Sequence, residues 1–183
     1  HSHKKEGYRS VTLSLKSNEQ APGDATSDQM RSVASLADQY SFGEIRVSHE
    51  QNLILSDVSE DNLFELWEKA KVKKLTTPNI GLLTDIICCP GGDFCSLANA
   101  KSIPIAKSIQ GILDVMDYLH EIVAINLNIS VWMNACGYHH VGHLGILGVD
   151  KDGSEWYQLT LGGKQGNFAS IGKVIGHSSS EEE

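Results

Sequence analysis

Cys88, Cys89, Cys95 and Cys136 are the four cysteines of this 183-residue chain, and they stand on glycine-rich turns beside apolar runs. Cys89 and Cys95 enclose five residues in ICCPGGDFC, and Cys136 follows about forty residues later in MNACG. Thiolates on such turns suit a metal or an iron–sulfur cluster better than a disulfide. Cys89, Cys95 and Cys136 with an open fourth position fit an incomplete 4Fe–4S site. They also fit zinc, with His139, His140 or His143 as the fourth ligand, and they fit inert thiols in a packed core. Cys88, next to Cys89, could serve as a replacement ligand only through a distorted backbone, because adjacent residues of an extended segment point to opposite faces; a buried Cys88 is the simpler reading. Trp132 sits four residues before Cys136, where a second cysteine would complete the set.

Other residues near these turns could do chemistry. His139, His140 and His143 could bind metal, pair with an anion or donate protons; loop histidines bonded to backbone are the simpler reading. Gly91-Gly92 with Ser96 could cradle an anion through backbone N–H groups, or form a tight turn. His49 reads as structural or as part of a domain contact.

The balance of charge bounds the partners. The formal net charge is −8, which argues against nucleic acid or an anionic membrane surface as the main partner. No apolar run reaches the length of a membrane span. The start HSHKKEGYRS lacks an apolar core of a secretory signal, so free or metal-bound thiols in a reducing, cytoplasmic compartment are expected. The chain opens almost directly into a strand-like run, which favours a fragment or one half of something larger.

The elements that must position the cysteines follow from periodicity. Residues 8–16 (YRSVTLSLK) alternate as a strand. Thr26 or Ser27 caps a helix running to Tyr40. EIRVSH and LILSDV form a hairpin across Glu50-Gln51-Asn52, and Ser59 or Asp61 caps a second helix through Ala70. This β-α-β-β-α order describes an antiparallel sheet under helices. KVKKLTTPN (71–79) reads as a linker. After it come a short strand at 80–87, a turn at 88–94, and a helix from about Cys95 to Tyr118, kinked or split into two helices at Pro104. A strand at 125–131 beside 80–87 would return Cys136 to the 89–95 turn. Residues 144–150 and 155–161 form a hairpin around Lys151-Asp152-Gly153. A short apolar segment spans 171–175, and HSSSEEE is a loose tail.

TPNIGLLTDIICCPGGDFCSLANAKSIPIA and NISVWMNACGYHHVGHLGILGVDKDGSEWYQLTLGG resemble the C-terminal half of the sirohaem-containing sulfite and nitrite reductase haemoproteins. GYRSVTLSLK and SFGEIRVSHEQNLILSDV resemble that family's ferredoxin-like half-domain. The resemblance implies an α+β chain, with a ferredoxin-like half-domain at 1–74 and a sirohaem/4Fe–4S-type α/β reductase domain at 75–183. The family pattern is two cysteines enclosing five residues, then two enclosing three. Carried over, Cys89, Cys95 and Cys136 are cluster ligands, Cys136 is the thiolate shared with the haem iron, and Asn134 belongs to the cofactor wall. Trp132 stands where the family has cysteine, and Val131 where it usually has glycine. The implied cofactors are a 4Fe–4S cluster and sirohaem. The implied reaction is six-electron reduction of sulfite to sulfide or nitrite to ammonia, with electrons passing from cluster to haem. Sulfite or nitrite, an N-terminal half, and an electron-donor flavoprotein or ferredoxin are the implied partners. Much of the family's haem pocket and its anion-binding Arg and Lys residues belong to that N-terminal half. This chain alone is therefore expected to be inactive; a cofactor-free scaffold that docks with an N-terminal half is the alternative.

Overall fold

The structure, a computed structural model, describes residues 1–116, 121–122 and 125–181. The chain divides into two compact units, His1–Ile80 and Gly81–Glu183.

In the first unit β1 (Tyr8–Leu13), α1 (Ser27–Tyr40), β2 (Arg46–Val47), β3 (Leu53–Ser59) and α2 (Leu63–Val72) follow in the expected order. The strands form an antiparallel sheet in the order β1-β3-β2, with Leu13 opposite Leu53 and Arg46 opposite Ile54. The hairpin turn needs a left-handed residue, and Gln51 supplies it with φ 59°. Thr26 caps α1: its Oγ1 accepts the Gln29 N–H, and the Gln29 side chain accepts the Thr26 N–H, a reciprocal capping box. The apolar stripe of α1 (Val33, Leu36, Ala37, Tyr40) packs with Leu53, Leu55, Val58, Leu66 and Ala70 into one core. No side chain caps α2; Ser59 precedes a 3₁₀ turn at Glu60–Asn62 instead. The stretch read as a linker packs back onto this unit. Leu75 is buried and its carbonyl accepts from the Ser14 N–H at 3.0 Å, while Asn79 bonds the Ser14 hydroxyl and the Lys16 carbonyl.

The second unit holds β4 (Ile87–Cys88), α3 (Ile103–Leu113), β5 (Leu127–Ser130), β6 (Leu144–Lys151), β7 (Ser154–Leu161) and β8 (Lys173–Ser179) in a sheet ordered β4-β5-β6-β7-β8. The β4–β5 and β5–β6 pairs are parallel; the other two are antiparallel. Strand β5 lies beside β4 as the return of Cys136 required, with Cys88 opposite Ile129. All of its residues are buried, which suits a central strand covered on both faces. The β6–β7 turn places Asp152 and Gly153 at φ 55° and 81°, as the Asp-Gly pair requires.

Three expectations change in this unit. The strand before the cysteines is two residues long rather than spanning 80–87. The helix begins at Ile103, not Cys95, so Pro104 lies in its first turn rather than at a kink. Proline has no N–H to donate and the first turn needs none; the helix ends at Leu113, short of the expected Tyr118, which itself lies outside the described residues. Finally, His177, Ser178 and Ser179 belong to β8 instead of a loose tail, because the strand ladder continues from Lys173 opposite Leu161 to Ser179 opposite Tyr157.

Candidate functional site

Parallel strands β4 and β5 end side by side, and the cysteine turns leave from their C-terminal ends, where open α/β sheets commonly bind ligands. The Cys89 N–H donates to the Ile129 carbonyl at 3.0 Å, extending the ladder by one residue. Beyond it the chain turns sharply. Gly91 takes φ 64°, and a Cβ there would meet the Ser102 Oγ at 2.2 Å, so both backbone conformation and space demand glycine. The Cys95 N–H returns to the Gly91 carbonyl at 2.8 Å, the Gly92 N–H reaches Ala100, and the Asn99 N–H reaches the Val131 carbonyl at 2.9 Å. The backbone amides of Gly92 and Cys95 are thereby spent on the protein itself and are not open to an anion, while Gly91 makes the turn tight.

The second turn is held by polar groups of β5. The buried Ser130 hydroxyl accepts the Gly137 N–H at 3.0 Å, and the buried Asn128 amide donates to the Gly137 carbonyl at 2.8 Å. Ala135 and Tyr138 adopt φ 52° and 55°, uncommon for residues with a Cβ. These two anchors fix where Cys136 stands.

Cys89, Cys95, Cys136, Trp132 and Asn134 line one cavity of about 90 Å³, closed by apolar Leu97, Ala98 and Val131. The residues singled out by spacing are therefore brought together, and the tryptophan belongs to the same wall. Cys89 is buried with its Sγ 3.8 Å from the Ser102 Oγ; Cys95 is half-buried; Cys136 is exposed. Cys88 faces away, donating its thiol to the Cys89 carbonyl and packing in the core.

The histidines do not join this cavity. His139 is buried, with its Nε2 3.4 Å from the His140 Nδ1 and its Nδ1 without a hydrogen-bond partner among the described residues. Burial, and then the neighbouring His140, push its pKa down from 6.5 to about 4. His143 accepts the Asn126 N–H through Nδ1, a backbone bond of the kind expected for a loop histidine. His49 is exposed on the β2–β3 turn.

The donor set decides what the cavity can hold. A 4Fe–4S cluster takes four thiolates, and an indole offers an N–H donor and no lone pair for iron. Among the described residues no group of three or more His, Cys, Asp and Glu is arranged to hold a metal ion. The residues present do not fit a four-thiolate cluster. The residues that fix the site's shape, Ser102, Asn128, Ser130 and Gly137, escape a search for ligand types. Their signal is a period-two pair, Asn128 and Ser130, inside an otherwise apolar strand.

Residues 1–72 match the family described as the nitrite/sulfite reductase ferredoxin-like half domain. The ferredoxin–nitrite reductase of Synechococcus elongatus is 29% identical over 159 residues, covering 82% of this chain and 30% of that protein. The chloroplastic ferredoxin–nitrite reductase of Spinacia oleracea is 24% identical over 184 residues, 95% of this chain and 29% of the relative. A sulfite reductase [ferredoxin] of Mycolicibacterium paratuberculosis is 28% identical over 153 residues, 78% of this chain and 27% of the relative. The solved structure of Mycobacterium tuberculosis NirA superposes with a TM-score of 0.76 at 24% identity, covering 97% of this chain and 33% of that one, which establishes the shared fold. The chain thus spans about 30% of the length of the curated relatives it matches. No helix among the described residues is long and apolar enough to cross a membrane. The first unit thus carries the match to the nitrite/sulfite reductase ferredoxin-like half domain, and the chain along most of its length is similar to nitrite and sulfite reductases.

Proposed function

We propose that this chain is the cluster-side half of a sulfite- or nitrite-reductase-type haemoprotein whose cluster site has lost a ligand, and that alone it reduces neither anion. One observation carries this reading: Trp132 lines the same cavity as Cys89, Cys95, Cys136 and Asn134. The three cysteines and Asn134 are the remnant of a cofactor wall, and the indole occupies the place of the missing thiolate. A reducing, cytoplasmic setting fits its free thiols.

The test is purification without oxygen, followed by iron and acid-labile sulfide analysis and a reduced-viologen assay with sulfite and with nitrite. The expected protein is colourless, free of cluster iron and inactive. Turnover of either anion above the rate of the buffer would overturn the reading.

A second reading is favoured by a separate observation. Phe94 and Leu97 on one cysteine turn, and Met133 and Tyr138 on the other, are at least half exposed, with Met133 at 77%. Exposed apolar side chains on the turns that line a cavity commonly mark a docking surface. On this reading the chain is a scaffold that covers these residues with an N-terminal reductase half. The Synechococcus elongatus relative supplies a half to test it: co-elution with this chain, lost on Met133→Asp and Phe94→Asp, is the expected result.

A further inference from the structure

With no four-thiolate cluster to claim the sulfurs, free thiols share a small cavity, and this inference rests on that reading. We infer that Cys95 and Cys136 form a peroxide-responsive pair that closes to a disulfide, tying the turn after β4 to the turn after β5.

Position selects the pair. Both thiols are free and line one cavity, and joining them needs the ~3.5–4.5 Å Cβ separation of a disulfide. Cys136 is exposed at the rim, where a small oxidant reaches it first, and Cys95 is half-buried beside it. Cys89 is buried against Ser102, and Cys88 bonds the Cys89 carbonyl outside the cavity, so neither competes well as the resolving thiol. Both turns are pinned close to the reacting residues, by the Cys95 N–H to the Gly91 carbonyl and by the Gly137 N–H to the Ser130 hydroxyl. The pinned turns bring both cysteines to the lining of one cavity.

The chemistry balances with hydrogen peroxide as oxidant. The Cys136 thiolate attacks one peroxide oxygen and the O–O bond breaks; that oxygen stays on sulfur as a sulfenic acid, and the other leaves as hydroxide and is protonated to water. The Cys95 thiolate then attacks the sulfenic sulfur, the S–O bond breaks, and hydroxide leaves to become a second water. Two thiols lose two electrons and two protons, and the peroxide takes up both.

The experiment uses the full chain, purified anaerobically and assayed first for iron. It is then treated with a small excess of hydrogen peroxide, alkylated, digested and mapped by mass spectrometry. The expected result is a monomer lighter by two hydrogens, with a cross-link between the Cys95 and Cys136 positions that dithiothreitol reverses. Cys95→Ser and Cys136→Ser each abolish it, and Cys88→Ser leaves it. Over-oxidation of Cys136 beside a freely alkylated Cys95, or a cross-link through Cys89, overturns the pairing and leaves the cluster-free reading standing. Iron and sulfide bound in cluster proportion overturn that reading and the pairing together. Mapping the unsubstituted chain decides the matter even if a serine variant fails to fold.

Discussion

Gly137 packs against Ile129 so closely that a Cβ on it would lie 2.0 Å from the Ile129 carbonyl oxygen. The turn that carries Cys136 is thus pressed onto β5, with Ser130 and Asn128 holding its backbone on either side of the peptide. Gly137→Ala has no space to relax without moving that turn. The variant is expected to lose roughly 1–3 kcal/mol of stability, the usual range for overpacking, read as a lower urea midpoint. It also displaces Cys136, so the reactivity of that thiol toward a maleimide changes in the folded state. A midpoint equal to that of the parent would mean the turn is softer than this packing implies.

Trp132→Cys restores the spacing of the family's second cysteine pair. The tryptophan is half-buried at the cavity wall, so its removal costs less than the ~3–5 kcal/mol typical of a fully buried Trp or Phe truncation. After reconstitution with iron and sulfide under reducing conditions, the variant is expected to retain iron and show visible thiolate-to-iron absorption, while the parent retains neither. Equal iron content in the two proteins would show that the indole is not what blocks assembly.

The capping box of α1 offers a test in the first unit, far from any thiol chemistry. Thr26→Ala removes the acceptor for the Gln29 N–H and leaves the reciprocal Gln29 bond unsupported. The expected loss is about 1 kcal/mol, measured by thermal or urea unfolding. Thr26→Ser keeps the hydroxyl and should recover most of it. An alanine variant as stable as the parent would mean that solvent caps this helix as well as threonine does.

Much of this architecture is readable from local rules. The Asp152-Gly153 turn and the Thr26 cap act within a few residues, and their chemistry admits few alternatives. The cysteine set was legible because ligand types at a fixed spacing stand out, and β5 beside β4 was the simplest way to bring Cys136 back. What stayed hidden depends on partners distant in sequence. Pro104 reads as a kink until the backbone of residues 95–102 is seen bonded to Gly91 and Val131, which leaves the proline at a helix start. His177 to Ser179 look like a polar tail because their strand character comes from pairing with β7, not from their own propensity. Ser130 and Asn128 resemble ordinary strand residues until Gly137 is placed against them.

His139 gives the protein a pH dependence whose sign can be worked out. The ring is 7% exposed, stands edge-on to His140 with centroids 4.5 Å apart, and has no hydrogen-bond partner for Nδ1 among the described residues. Burial is the larger cause and the His140 charge the smaller one; together they lower the pKa from 6.5 to about 4. The unfolded chain therefore binds this proton more tightly than the folded one. Stability from this group is complete above the unfolded value of 6.5 and declines as pH falls through the window toward 4, where the folded ring also protonates and the decline levels off. At about 1.4 kcal/mol per pKa unit, the loss across that window is of order 1–3 kcal/mol. Carboxylates titrate near the lower end, so the informative quantity is a difference. Urea midpoints of the parent and of His139→Gln, measured in steps from neutral pH to the acid end of the window, should diverge, with the glutamine variant showing the shallower fall. Parallel curves would mean that water or a backbone group reaches the ring and relieves its desolvation.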